Sequence, residues 1–162
     1  MSPRERSASG DATTSAVPEG YVFGYDFAEI DREQLSEMYR LAPLGHKPPD
    51  WLKMVYENSM FRSLVYTEGL LVGAGRALTD GLDAAYLADI AVHPDHQGRG
   101  LGLAIVRDLV RQCTGHRMII LCANPGTEPF YRQAGFLPME TAMAVWRDPA
   151  AGIAAGFLRA YL

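Results

Sequence analysis

The chain has 162 residues, 48% of them apolar, and a net charge of −4 without a basic block. That length fits a single domain with a sizeable core, and the charge argues against nucleic acid as the main partner. No stretch approaches the ~20 apolar residues of a membrane span and no apolar signal core opens the chain, so a cytoplasmic protein is expected.

Residues 1–19 are rich in Ser, Thr, Ala, Gly and Pro and read as a disordered tail. A domain over residues 20–148 and a C-terminal helix over 149–162 complete the expected organisation. Tyr21 to Phe27 reads as the first strand. Asp31 to Ala42 reads as a helix, with Asp31 and Gln34 as a capping box, Ile30 and Leu35 as a staple, and Leu35, Met38, Tyr39 and Ala42 on one apolar face. A loop broken by Pro43, Gly45 and Pro48-Pro49 leads into a second helix over Asp50 to Ser59. Phe61 to Thr67 and Leu70 to Leu78 form a hairpin around Glu68-Gly69, and Ala84 to Val92 is the fourth strand.

After that strand comes the most informative stretch, Asp89-Ile-Ala-Val-His-Pro-Asp-His-Gln-Gly-Arg-Gly-Leu-Gly102. An apolar β-branched run breaks at Pro94, and Gly98, Gly100 and Gly102 occupy alternate positions. A helix over Leu101 to Thr114 begins at once, with Gly102, Ile105, Val106, Leu109 and Cys113 inward and Arg107, Asp108, Arg111 and Gln112 outward. Strand, glycine loop and helix N-terminus make a site for a pyrophosphate, because glycines admit close backbone approach and the helix start offers unpaired donors. The spacing excludes a P-loop, which needs Gly-Lys-Ser/Thr, and fits a dinucleotide fingerprint poorly, because the third glycine comes one residue early.

Downstream, Arg117 to Ala123 reads as a strand, Thr127 caps a short helix ending at Gly135, Thr141 to Trp146 reads as a closing strand, and Ala150 to Leu162 as a short apolar helix packed on the sheet or at a dimer contact. Cys113 and Cys122 both lie among apolar neighbours and read as reduced core residues.

Gln97-x-x-Gly100-x-Gly102 resembles the Gln/Arg-x-x-Gly-x-Gly/Ala signature of the GNAT superfamily of acyl-coenzyme A N-acyltransferases. Phe130-Tyr131-Arg132-Gln133-Ala134-Gly135-Phe136 resembles that family's Phe-Tyr-x-x-x-Gly-Phe. The resemblance covers roughly residues 84–146 and implies an α/β fold: a mixed, mostly antiparallel sheet flanked by helices and splayed between its fourth and fifth strands. It implies acetyl-coenzyme A as acyl donor and a homodimer; the compact frame favours a small-molecule amine as acceptor, and no metal is expected. The donor's pyrophosphate would lie on Gln97, Gly98, Arg99, Gly100, Leu101 and Gly102, and its pantetheine arm along Ile90, Ala91 and Val92, with Asn124, Phe130 and Arg132 as further contacts.

Tyr131 is the first catalytic candidate, as the acid that protonates the leaving thiolate. A phenol titrating near ~10 suits a thiol near ~8.5. Its structural alternative is packing at a helix end. Asp89 is the candidate base or ammonium ligand. An aspartate near ~3.9 is a feeble base without desolvation, and Ala88 stands where some relatives carry an acid. His46, in the loop bordering the expected acceptor site, reads as a solvated histidine or a base. His93 and His96 have the spacing of metal ligands but lack a third partner nearby. Trp51, Tyr56 and Glu57 would line an acceptor pocket or form a mixed core and surface face. A coenzyme A-binding module without transfer chemistry and an acetyltransferase acting on a protein amine are the competing readings.

Overall fold

The apolar runs assemble into a five-stranded sheet of order β1-β2-β3-β4-β5. The computed structural model describes residues 17–161, so most of the expected tail lies outside the described residues. The chain runs β1 (Val22–Gly24), α1 (Arg32–Leu41), α2 (Pro49–Glu57), β2 (Phe61–Thr67), β3 (Leu70–Thr79), β4 (Ala84–Val92), α3 (Leu101–Gln112), β5 (Met118–Leu121), α4 (Glu128–Arg132) and α5 (Pro149–Ala154). β1 to β4 pair antiparallel in sequence order, and β5 joins β4 in parallel. This is the mixed α/β fold the sequence implies. Among the described residues no helix is long and apolar enough to cross a membrane.

Each sheet face carries its own core. On one, Leu35, Met38 and Tyr39 of α1 and Leu52 and Tyr56 of α2 cover Leu64, Leu71, Ala74 and Ala91. On the other, Leu101, Ile105 and Leu109 of α3 and its C-cap Cys113 cover Val65, Val72, Ala77, Ala85 and Leu87. The second layer is close because β3 is made of small residues. A Cβ on Gly75 would stand 2.8 Å from Ile105 Cγ2 and 3.1 Å from Leu109 Cδ1, so any side chain there would push α3 off the sheet.

α1 starts at Asp31, whose Oδ1 accepts from the backbone N–H of Glu33 at 3.0 Å and of Gln34 at 3.1 Å. The reciprocal half of the expected capping box goes elsewhere: Gln34 Oε1 accepts from the Leu71 N–H at 3.2 Å. A strand-start amide thus takes the acceptor that local pattern assigned to the helix. The first strand stops at Gly24, short of Phe27, because Asp26 turns the chain by accepting from the Ala28 N–H at 2.8 Å. Phe27 is thereby delivered into the α1/α2 core.

Further expectations are corrected. Asp108 is buried rather than outward-facing, because it collects Tyr25 Oη at 3.2 Å, Arg111 at 2.7 Å and Gln112 Nε2 at 2.8 Å. Cys122 is exposed, one residue past the end of β5, whereas Cys113 is buried; both are free. Thr141 to Trp146 forms no strand. Pro138 removes a backbone donor at its approach. Within the segment Ala142 lines a small apolar recess and Trp146 meets Phe157, while Met143 and Val145 stand at 83% and 104% exposure. The C-terminal helix is also shorter than expected. Asp148 caps it, Gly156 adopts φ +79° two residues beyond it, and Phe157 returns to stack on Trp146 at 5.6 Å.

The feature that positions the site is a bulge in β4. Between the pairs Ala74↔Ala91 and Arg76↔Ala88, two residues of β4, Asp89 and Ile90, oppose one residue of β3. Asp89 takes φ +54°, a conformation non-glycine residues seldom adopt. β5 pairs with β4 only from Ala84 to Leu87. From Ala88 on, β4 follows β3 alone, and the two parallel strands part.

Candidate active site

The parting of β4 and β5 opens a cleft of about 870 Å³. One wall is Ile90, Ala91 and Val92 of β4, whose backbone there has no β5 partner. The floor is the glycine loop with the first turn of α3, represented by Gln97, Gly98, Gly100, Leu101 and Gly102. The far wall comes from after β5: Asn124, then Phe130 and Tyr131 of α4. Ala42 and Leu44, at the end of α1, close one side.

The loop owes its shape to specific contacts. Gln97 Nε2 donates to the Val92 carbonyl at 3.0 Å, folding the loop back onto the end of β4. Gly100, the N-cap of α3, has φ +83°, a left-handed conformation that a side chain would strain. Gly102 lets Phe130 approach, since a Cβ there would lie 3.3 Å from Phe130 Cζ. The loop and the start of α3 together present backbone donors and a positive dipole end, the equipment for an anion with an extended tail. The residues present therefore fit coenzyme A: a phosphate cradle on the floor and a free strand edge for an amide-bearing arm.

Eleven of the fourteen donor and catalytic candidates line this cleft; Arg99, Arg132 and Asp89 do not. Arg99 turns outward. Its NH1 lies 3.2 Å from Tyr21 Oη and its NH2 3.4 Å from the Asp95 carbonyl. Arg132 lines the separate apolar recess of about 260 Å³ beside β5. Tyr131 borders both spaces, and burial raises its pKa above the ordinary phenol value, so it stays protonated through neutral pH.

Asp89 sits behind Ile90 at the centre of a polar network. Lys47 Nζ lies 2.9 Å from Oδ1 and Arg76 Nε 2.6 Å from Oδ2. Burial opposes its ionisation, but the hydrogen bonds and charges of Lys47 and Arg76 prevail and hold the carboxyl below its usual value. A carboxylate so held is a weak proton acceptor. Its carbonyl accepts from Tyr39 Oη at 2.7 Å, which uses Tyr39's one proton, so Tyr56 must donate in the 2.5 Å contact between the two hydroxyls. Arg76 NH1 in turn donates to Ser59 Oγ at 3.1 Å, and Ser59 to the Val55 carbonyl at 2.7 Å. α1, α2, their connecting loop and β3 thus converge on one bulge residue.

Of the other candidates, Tyr56 is buried in that network and Glu57 forms an exposed pair with Lys53 at 2.5 Å. Trp51 is exposed, with Lys47 Nζ 4.6 Å from its ring centre, and His46 is exposed too. His93 accepts from the Asp95 N–H at 3.2 Å, and His96 Nδ1 meets Tyr21 Oη at 3.0 Å. Among the described residues no three His, Cys, Asp or Glu side chains gather as a metal site would require. Lys47, Arg76 and Tyr39 are the participants local sequence did not reveal. Lys47 stands in the loop between α1 and α2, and only the long-range fold brings it to Asp89.

Residues 25–136 match the model of the acetyltransferase (GNAT) family. The uncharacterized N-acetyltransferase ycf52 of Gracilaria tenuistipitata var. liui is 32% identical over 56% of this chain and 53% of its own length. The chain therefore spans about half the length of that relative. The chloroplastic serotonin N-acetyltransferase 2 of Oryza sativa is 29% identical over 72% of this chain and 62% of its own. Among solved structures, a probable acetyltransferase of Staphylococcus aureus superposes with TM-score 0.70 at 22% identity, covering 79% of this chain and 98% of that one. An aminoglycoside N-acetyltransferase in complex with CoA does so with TM-score 0.59 at 19% identity, covering 82% and 99%.

Proposed function

The chain belongs to the GNAT family of acetyltransferases, and we propose that it moves an acetyl group from acetyl-coenzyme A to a primary amine of a small molecule by direct attack in a ternary complex. The observation that carries the reading is the cleft itself, where a released strand edge, a glycine-rich helix start and a protonated tyrosine meet. Backbone N–H groups of the Gln97 to Gly102 loop hold the pyrophosphate. The free edge at Ile90, Ala91 and Val92 takes the pantetheine amides, as a sheet edge takes a peptide. Asn124 adds a polar contact and Phe130 an apolar one. Arg99 would reach a phosphate only by leaving Tyr21, and Arg132 lies on the wrong side to help.

In the transfer step the neutral amine attacks the thioester carbonyl, the C–S bond breaks, Tyr131 gives its proton to the departing sulfur, and the proton shed by the acylated nitrogen passes through solvent and restores the phenol. Asp89, held by two cations, fixes the bulge rather than removing the amine's proton. The acceptor then reacts through its neutral fraction. A small acceptor suits a cleft bounded by a few loop residues. A homodimer, with α5 and the exposed residues before it as contact, completes the proposal.

A second reading is a coenzyme A-binding module without transfer chemistry, favoured by the clamp on Asp89 and by Ala88 beside it. Thiol release from acetyl-coenzyme A over a panel of amines separates the two. Release above background with one amine class establishes the transferase and names its acceptor. Saturable coenzyme A binding with silence across the panel favours the binding module.

A further inference from the structure

The chain has 2 lysines against 13 arginines. Lys53 makes an ordinary exposed pair on α2. Lys47 does not: its ammonium lies 2.9 Å from Asp89 Oδ1, 4.6 Å from the Trp51 ring centre and 5.5 Å from that of Tyr39. Both charged side chains are only 14% exposed. A carboxylate oxygen and two aromatic faces around a shielded point charge are what recognition of an alkylammonium requires. Arg76 occupies the other carboxylate oxygen, so Oδ1 remains for the ammonium. In Lys47 the molecule carries its own model ligand.

The tether of that ligand is short and weakly held. Lys47 belongs to the loop between α1 and α2, where Gly45 has φ +84° and His46 is exposed, and its backbone is fixed by one bond, Ser36 Oγ to the Lys47 carbonyl at 2.6 Å. The same loop sends Leu44 into the cleft.

We infer that Asp89, Trp51 and Tyr39 form an anchoring site for a primary alkylammonium of the acceptor, and that Lys47 is its displaceable internal occupant. The inference rests on the acetyltransferase reading and extends it to a substrate class. Displacement exchanges like for like: one ammonium leaves for water as another arrives, so the desolvation of Asp89 is not incurred again. An ammonium held by this carboxylate keeps its proton and is no nucleophile. Asp89 also stands behind Ile90, outside the cleft lining. The anchored nitrogen is therefore not the acetylated one, and the acceptor carries two amines, as an aliphatic diamine or longer oligoamine does.

The test uses the full chain and its Lys47→Ala variant. Thermal unfolding is followed with butylammonium, diaminobutane, tetramethylammonium and guanidinium at equal ionic strength. Lys47→Ala is expected to gain saturable stabilisation from the two primary ammonium ions and none from the others, weakened several-fold when Trp51→Ala is added. In Lys47→Ala, where no lysine has to be displaced, kcat/KM for diaminobutane should exceed that for butylamine by about tenfold, the worth of one shielded charge pair. Lys47→Ala stabilised no more by butylammonium than by tetramethylammonium overturns the anchoring site. Equal kcat/KM for the mono- and diamine overturns its role. If coenzyme A itself fails to shift the wild-type transition, the acetyltransferase reading falls, while the ammonium-selective shift, read without turnover, still decides the site.

Discussion

The Tyr39 hydroxyl donates to the Asp89 carbonyl across 2.7 Å and 50 positions of sequence, tying α1 to the bulge that lies two residues beyond the last β4–β5 pair. The bulge that opens the cleft has an unusual backbone angle, and such an angle persists only where its surroundings over-determine it. Here they do so from both ends of the residue: Tyr39 on the main chain, Lys47 and Arg76 on the side chain.

Tyr39→Phe removes the donor to that carbonyl and the acceptor for Tyr56 without removing the ring. A buried carbonyl and a buried hydroxyl both lose partners, so urea unfolding should show a loss of roughly 1–3 kcal/mol. Because the bulge positions Ile90 to Val92, KM for acetyl-coenzyme A should rise in the variant beyond what the folded fraction explains. A loss of stability with unchanged KM would confine Tyr39 to the core.

Asp89 also sets a pH limit on stability. Its folded pKa is lowered, so the unfolded chain holds the proton more tightly and the stabilisation is fully present above the unfolded aspartate value near ~3.9. It is lost as pH falls through the lower folded value. Asp89→Asn should therefore lower stability at neutral pH and flatten its fall below about pH 4. Parallel acid limbs for wild type and variant would show that other carboxylates govern the transition.

How far the site was legible in the sequence follows from how local each part is. The glycine loop and the Phe130 to Phe136 motif are contiguous, and their residues meet in the cleft because strand, loop and helix follow without a break. Arg99 and Arg132 share those motifs but not that direction. Spacing along a chain does not say which way a side chain leaves an exposed turn, and Tyr21 and Asp95 draw Arg99 outward. The Asp89 network is invisible locally because its members come from four elements. Thr141 to Trp146 failed for the converse reason: alternation describes what a segment could pair with, and here the pairing is absent.

Gly100→Ala tests the cradle. Placing a Cβ at φ +83° costs about 1–2 kcal/mol, although no atom lies within 4 Å of where it would sit. The strain should shift the start of α3 and weaken coenzyme A binding, read by calorimetry, while the α1/α2 core and its network stay intact. Gly81→Ala, with nearly the same φ in a turn outside the cleft lining, serves as the control: a similar loss of stability with coenzyme A affinity retained. Equal affinity in both variants would remove the glycine loop from the donor site.

Tyr131→Phe separates binding from chemistry. The ring would keep its packing against Phe130 and Phe136, at 5.0 and 6.1 Å, so acetyl-coenzyme A affinity should change little. Loss of the acid should lower kcat by roughly 10²–10⁴-fold. The pH profile carries a second signature. A simple alkylamine titrates near ~10.4, so the wild-type rate should climb tenfold per pH unit above neutrality as the neutral amine grows. Burial raises the Tyr131 pKa, which keeps the phenol protonated across that climb and postpones any decline to strongly alkaline pH. In Tyr131→Phe the climb should remain, at a lower level and without the alkaline decline. A variant with wild-type kcat at every pH would return Tyr131 to a packing role and leave water to protonate the thiolate.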